Sequence, residues 1–414
     1  MGEAETRISR RRFLKELAGV GLCALGGGGL LRYLGARRAE AMATAPDQPQ
    51  PGPYAREAMH YTSVNQGLEC SACHTTGEPS RVLYCHTPHQ GVYVKCGLCP
   101  RGCVIAEGHR GECGVRENRG GVLHTLVFGN PCAVANDPIE KKPLFHFLPG
   151  TTAFSIATAG CNLHCRYCQN WAISQVPPEK TDNVDLPPEG VVESARRMQS
   201  PTIAYTYSEP TVFYEYMLAT AQAGRAAGLR SVVISNGYIN PEPLRMLCRA
   251  VDAIKVDLKG FNERFYEQVC SGTLQPVLDS IQLIHEMGVH LEIVNLVVPT
   301  LNDDEGELRE LIRWVRDSVS PETPLHFSRF HPLYQLTNLP PTPVETLTRA
   351  WEMAREEGLH YAYVGNVADH PGNHTYCPHC GRRLITRMGF WVVENHVSEG
   401  QCAYCGAPIY GVWG

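Results

Sequence analysis

The chain lacks a strong charge of one sign. Its 37 Lys and Arg face 42 Asp and Glu over 414 residues, a formal net charge of −5. A balance that mild gives no reason to look for nucleic acid. It also lacks a long uninterrupted apolar run. The most apolar N-terminal stretch, Leu17 to Leu31, is broken by Gly26 to Gly29 and is short for a spanning helix, which needs about 20 residues. Finally, the 18 cysteines are not spread evenly, as a disulfide framework would be. They gather in C-x2-C and C-x3-C groups, a pattern that reads as metal binding. Hydrophobic content of 43% is ordinary for a globular chain, and the length suggests a main body with appended modules.

The segment Cys161-Asn162-Leu163-His164-Cys165-Arg166-Tyr167-Cys168 places three thiolates in eight residues. Thiolates are soft ligands suited to iron–sulfur clusters. A closed four-iron cluster takes four cysteines and this loop supplies three, which leaves one iron open to a small molecule. A zinc loop is the alternative reading.

Around this loop the chain alternates. Apolar, β-branched runs at 153–158, 202–206, 231–235, 253–258, 290–298, 324–330 and 360–364 are expected strands. Amphipathic stretches at 188–199, 211–227, 241–250, 275–287, 303–318 and 343–357 are expected helices between them. Repeated βα units argue for an α/β fold with a parallel sheet, here a partial (β/α)6-type barrel. Chemistry in such folds sits at the C-terminal ends of the strands. The ends carry Tyr207-Ser208-Glu209-Pro210, Ser235-Asn236-Gly237, Asp257 and Lys259, Asn295, and His331. Asp257 and Lys259 share a face at period two. Each residue alone reads equally as a satisfied structural polar group, but five strand ends share the pattern.

Three further cysteine groups flank this core. At the C-terminus, Cys377, Cys380, Cys402 and Cys405 form two C-x2-C knuckles. Four thiolates so arranged make a closed tetrahedral site, expected to hold structural zinc in a zinc-ribbon or rubredoxin-like module. Cys96, Cys99, Cys103 and Cys113 fall within eighteen residues among several glycines. They form a tight metal loop for either zinc or an auxiliary iron–sulfur cluster. Cys70-Ser71-Ala72-Cys73-His74 is a c-type haem attachment pattern, rivalled by a zinc site with Cys85, His86 and His89. After these groups, Lys141 and Lys142 read as solvated loop charges, with an acidic partner the alternative.

Residues Ser9-Arg10-Arg11-Arg12-Phe13-Leu14-Lys15 match the twin-arginine export pattern, and Ala41-Met42-Ala43 offers a cleavage site. The expected organisation is a signal or anchor over 1–43, a linker and Cys-rich region over 44–150, the core over 151–370, and the four-Cys module over 371–414. Export or membrane tethering conflicts with a reaction that needs cytoplasmic supplies.

The cysteine loop resembles the signature of the radical S-adenosylmethionine (SAM) superfamily, and Tyr167 before the last cysteine fits that pattern. From about 96 to 413 the chain resembles the radical SAM member of the AmmeMemoRadiSam system, near the pyruvate formate-lyase activating enzymes. The motifs that carry this are Cys96 to Cys113, Asp137-Pro138-Ile139-Glu140-Lys141-Lys142-Pro143, Gly160 to Gln175, Tyr205 to Pro210, Gly365-Asn366-Val367 and the terminal knuckles ending Gly411-Val412-Trp413. The resemblance implies a [4Fe–4S] cluster on Cys161, Cys165 and Cys168, with SAM at the open iron. It implies SAM contacts from Tyr167, Ser208, Glu209, Ser235, Asn236, Asp257, Lys259, Asn295 and His331. Tyr207 and Ser208 replace the family's usual glycines. Reductive cleavage of SAM would give a 5′-deoxyadenosyl radical that takes hydrogen from an unidentified substrate. The implied partners are a low-potential electron donor (ferredoxin or flavodoxin) and Memo-like and AMMECR1-like proteins. The rival readings are a glycyl-radical activating enzyme, a non-catalytic iron–sulfur or haem electron-transfer protein, and a structural zinc scaffold.

Overall fold

The structure is a computed structural model that describes residues 52–64 and 92–414. The twin-arginine segment, the Ala41-Met42-Ala43 site and the group from Cys70 to His89 lie outside the described residues.

One eight-stranded sheet organises the molecule. Its strands are β1 (Ala133–Pro138), β2 (Thr152–Ala157), β3 (Thr202–Tyr205), β4 (Arg230–Ser235), β5 (Ala253–Asp257), β6 (His290–Val297), β7 (Leu325–Arg329) and β8 (Ala362–Gly365). They lie in chain order across the sheet. Strands β2 to β8 are parallel, and β1 pairs antiparallel with β2 along one edge. Parallel strands need long crossovers, usually helical. The crossovers are α1 (Pro188–Arg197), α2 (Tyr214–Ala226), α3 (Pro241–Ala250), α4 (Gln275–Glu286), α5 (Glu305–Ser318) and α6 (Val344–Glu356).

The local reasons are visible. Proline opens α1 and α3, where its missing N–H costs nothing. The Asp304 carboxylate caps α5 by accepting from the Glu307 N–H at 3.0 Å. Leu308, Leu311, Ile312 and Val315 then recur on one face of α5 and are buried. Strand β3 is buried at all four positions, as a sheet covered on both faces requires. Strand β1 was not expected; its Asn136-Asp137-Pro138 end carries no strand pattern.

The start of the sheet is closed by the chain itself. Ile139, Leu144 and Phe147 pack on the small inward residues Ala153, Ala204, Val232 and Ala253. The C-terminal module docks beneath them. The Val412 N–H donates to the His146 carbonyl at 2.7 Å, and Leu148 N–H donates to the Val412 carbonyl at 2.8 Å. On the other flank, the Cys-rich lobe is tied to α2 by a buried bidentate pair. Arg116 donates to Glu215 at 2.7 and 3.0 Å. No helix of the described residues is long and apolar enough to cross a membrane.

Candidate active site

The cysteine loop leaves the end of β2 through Gly160. Its φ is +96°, and a Cβ there would come within 2.5 Å of the Cys113 carbonyl oxygen, so only glycine fits. The loop is then pinned by backbone bonds. His164 N–H donates to the Cys270 carbonyl at 3.0 Å and Arg166 N–H to Val269 at 2.9 Å. The Asn162 amide donates to the Tyr238 carbonyl at 2.7 Å.

The three thiols differ in setting. Cys165 is buried, while Cys161 and Cys168 are partly exposed. Leu163 N–H donates to the Cys161 sulfur at 3.4 Å, and the Ser174 hydroxyl lies 3.1 Å from the Cys168 sulfur. A hydrogen bond from Cys270 outweighs burial at Cys165, and the Lys259 ammonium adds to it, bringing that thiol down to about 7. Burial pushes Cys161 and Cys168 up. Tyr167 is buried, with its hydroxyl 3.5 Å from the Cys270 sulfur.

The expected strand-end residues fall into two joined sets and one outlier. The Glu209 carboxylate is buried and accepts from Thr211 N–H, the Thr211 hydroxyl, the Ser235 hydroxyl and the Asn236 N–H at 2.7 to 3.0 Å. It therefore joins the ends of β3 and β4, with Oε1 taking three of these bonds and Oε2 one. Asn236 continues the chain of contacts: its amide donates to Asn162 Oδ1 at 2.9 Å and lies 3.9 Å from the Cys161 sulfur. The second set is at β5. Asp257 is bonded to the buried Lys255 and lies 3.5 Å from Lys259. Burial raises the Asp257 carboxyl, but the two lysines outweigh it and hold it below the ordinary range. The Asn295 amide N–H donates to the Leu258 carbonyl at 2.9 Å. His331 lies beyond β7 and is exposed; among the described residues no hydrogen bond draws it into either set.

Two buried side-chain atoms at these ends have no protein partner: Ser208 Oγ and Asn295 Oδ1. Buried polar atoms are nearly always bonded, so such orphans mark a place for a ligand or water.

Several residues were not singled out by the sequence. Cys270 is a lone cysteine with no spacing signal. Arg101 donates to the Asn162 carbonyl at 2.9 Å and also to the Ser271 carbonyl, so it fastens the cysteine loop. Lys142 takes the alternative of an acidic partner. It is 2% exposed and donates to Asp137 at 2.6 Å and to the Tyr207 hydroxyl at 3.1 Å. The Asp137 carboxylate is close enough to hold the charge inside, although burial brings the lysine down to about 8.

The other cysteine sets are also assembled. Cys377, Cys380, Cys402 and Cys405 bring their sulfurs within 4.8 Å of one another, a set that could hold a metal ion. Cys96, Cys99, Cys103 and Cys113 line one cavity with Asn162.

With the loop and strand ends in view, the relatives are informative. Residues 155–314 match the model of the radical SAM superfamily. An uncharacterised protein of Methanocaldococcus jannaschii, MJ0808, is 50% identical over 318 residues, which cover 76% of this chain and 95% of that one. The chain belongs to the radical SAM superfamily. A second uncharacterised protein of that organism, MJ0674, is 24% identical over 66% of this chain and 78% of its own. Among solved structures, a radical SAM methyltransferase from Sphaerobacter thermophilus aligns at TM-score 0.43 and 18% identity, over 57% of this chain and 71% of that one. A domain of a pyruvate-formate lyase-activating enzyme from Bacteroides vulgatus aligns at 0.36 and 15%, over 39% and 98%. Scores that low leave the fold to rest on the sheet described above. Radical SAM membership implies an enzyme of SAM-cleaving radical chemistry, with an iron–sulfur cluster and SAM as cofactors.

Proposed function

We propose that Cys161, Cys165 and Cys168 hold a [4Fe–4S] cluster and that SAM occupies its open position between the ends of β3, β4, β5 and β6. When bound, this pair supplies one-electron cleavage of SAM to a 5′-deoxyadenosyl radical that takes hydrogen from the substrate. The observation that supports it best is the coincidence of three pinned thiols with the orphaned Ser208 Oγ and Asn295 Oδ1. Donor chemistry agrees, because soft thiolates suit a cluster and a set of three leaves it open.

The chain's own residues then divide the work. Glu209 fixes the β3 and β4 ends and, through Asn236, the start of the cysteine loop. Lys259 offsets negative charge around Cys165. Asp257, held ionised by its lysines, is placed to accept from a cationic amino group. Ser208 offers its hydroxyl and Asn295 its carbonyl oxygen to polar atoms of SAM. Tyr167 supplies a buried aromatic wall. At the rim, Trp171 and Tyr334 stack 5.4 Å apart, with Trp171 43% exposed, in a position to cover a substrate. A protein glycine as substrate, as in the activating enzymes, is the second reading; the resemblance of the DPIEKKP segment and terminal knuckles favours the AmmeMemoRadiSam branch and its Memo-like and AMMECR1-like partners.

Spectroscopy tests the site without a substrate. The dithionite-reduced centre should change its electron paramagnetic resonance line on addition of SAM, and the change should vanish in Asp257→Asn. A reduced centre indifferent to SAM overturns the reading and favours a plain electron carrier.

A further inference from the structure

The chemistry above uses none of the four N-terminal cysteines. We propose that Cys96, Cys99, Cys103 and Cys113 hold a second, polynuclear iron–sulfur cluster, seated against the loop that carries Cys161.

The four line one small cavity, whose wall is completed by aliphatic side chains such as Leu98, Ile105 and Val212. No carboxylate or imidazole lines it, so the donors are all soft and select zinc or iron–sulfur. Sulfur spacing favours the second of these. Zinc–sulfur bonds of about 2.3 Å in a tetrahedron draw the sulfurs to about 3.8 Å from one another. The C-terminal quartet has that spacing, with Cys377 to Cys405 at 3.7 Å and Cys380 to Cys402 at 3.8 Å. Among the described residues it is the one set of three or more candidate ligands gathered within 4.8 Å. Among the described residues, neither the N-terminal quartet nor the Cys161 set is gathered within that distance. A [4Fe–4S] cluster binds each of four cysteines through a different iron, which spreads the sulfurs apart.

A second observation is independent of the cysteines. Arg116 lines the same gap and is 2% exposed, yet its Nε has no hydrogen-bond partner. Its two terminal nitrogens are spent on Glu215, so the Nε–H is the spare donor. An anionic sulfur cluster would satisfy it. The seat is shared with the core: Asn162 also lines the gap, and Gly160 lacks a Cβ precisely where the Cys113 carbonyl presses.

The test is metal content of the full chain, reconstituted anaerobically with iron and sulfide. A Cys161→Ala/Cys165→Ala/Cys168→Ala variant should retain about four irons with matching sulfide. It should give a paramagnetic signal on reduction that disappears when Cys99→Ser and Cys103→Ser are added. One zinc and no sulfide at this quartet would overturn the proposal. Because the triple variant removes a folded loop's ligands, the converse is needed too. Cys99→Ser/Cys103→Ser in the otherwise unaltered chain should lose half of the cluster iron; unchanged iron would overturn the proposal. If the Cys161 set held no cluster, the triple variant would keep the unaltered chain's iron content, which separates failure of that reading from failure of this one.

Discussion

The two ends of the sheet both bury charge, and they treat it differently. At the start of the strands, Glu292 is fully buried and each of its oxygens is taken twice. Phe145 N–H and His326 donate to one at 3.0 and 2.7 Å, while His146 N–H and His290 donate to the other at 2.8 and 3.1 Å. Arg387 from the C-terminal module seals the same region, donating to the Phe145 carbonyl at 2.9 Å and lying 4.0 Å over its ring. At the finish of the strands the charges are paired but not sealed. The Asp257 side chain is 32% exposed, against none of Glu292's; unpartnered buried atoms occur at both ends, Ser208 Oγ and Asn295 Oδ1 here and Glu140 Oε2 and Arg387 Nε at the start. A charge network closed off from solvent stabilises; one that keeps a face open can meet a ligand.

The sharpest way to break this contrast is one substitution at each end. Cys165→Ala should abolish SAM cleavage while leaving the melting temperature within about 3 °C of the parent. At the other end, Glu292→Ala strands two imidazoles and two N–H groups in the interior. It should cost about 3–5 kcal/mol in urea unfolding and leave the specific activity of the folded fraction near the parent's. A Glu292→Ala protein of parental stability would contradict the division.

The same network predicts a pH dependence. Burial lowers His146 from 6.5 to about 3. At Glu292 burial works the other way, but the hydrogen bonds from His290 and His326 outweigh it and hold the carboxyl below its ordinary value. Between those limits the unfolded chain binds protons that the folded chain does not. Stability is therefore full above the ordinary histidine value and falls as pH drops through 6.5 toward 3. Melting temperature against pH checks this, and His146→Gln should make the upper part of that fall shallower.

The smallest effect sharpens the contrast most finely. Ser208→Ala removes a hydroxyl that the protein does not bond. Stability should be unchanged or slightly raised, while KM for SAM rises about threefold, near the lower end of the ~1 kcal/mol a hydrogen bond is worth. A clear loss of stability would show that Ser208 has a structural partner.

Much of this was legible from the chain alone. The parallel strands and their helices follow from apolar periodicity, because each βα unit buries one stripe and one strand within its own local sequence. The three thiols were legible because ligand spacing is a local property. What spacing cannot carry is the second contact. Glu209 reads in sequence as one strand-end carboxylate, and the fold adds a joining role, since its four donors come from residues 211, 235 and 236. Lys142 reads as a solvated loop charge, yet Asp137, five residues away, and Tyr207 enclose it. Cys270 and Arg101 reach the cysteine loop from distant segments and leave no local trace. His331 stands at the expected place along the chain, and the fold leaves it exposed.

The most direct test is formation of 5′-deoxyadenosine by the reconstituted, dithionite-reduced chain under anaerobic conditions with SAM. The account predicts product well above a protein-free control and none from Cys165→Ala. Product from Cys165→Ala, or no product from a chain whose cluster is assembled and reduced, would contradict it.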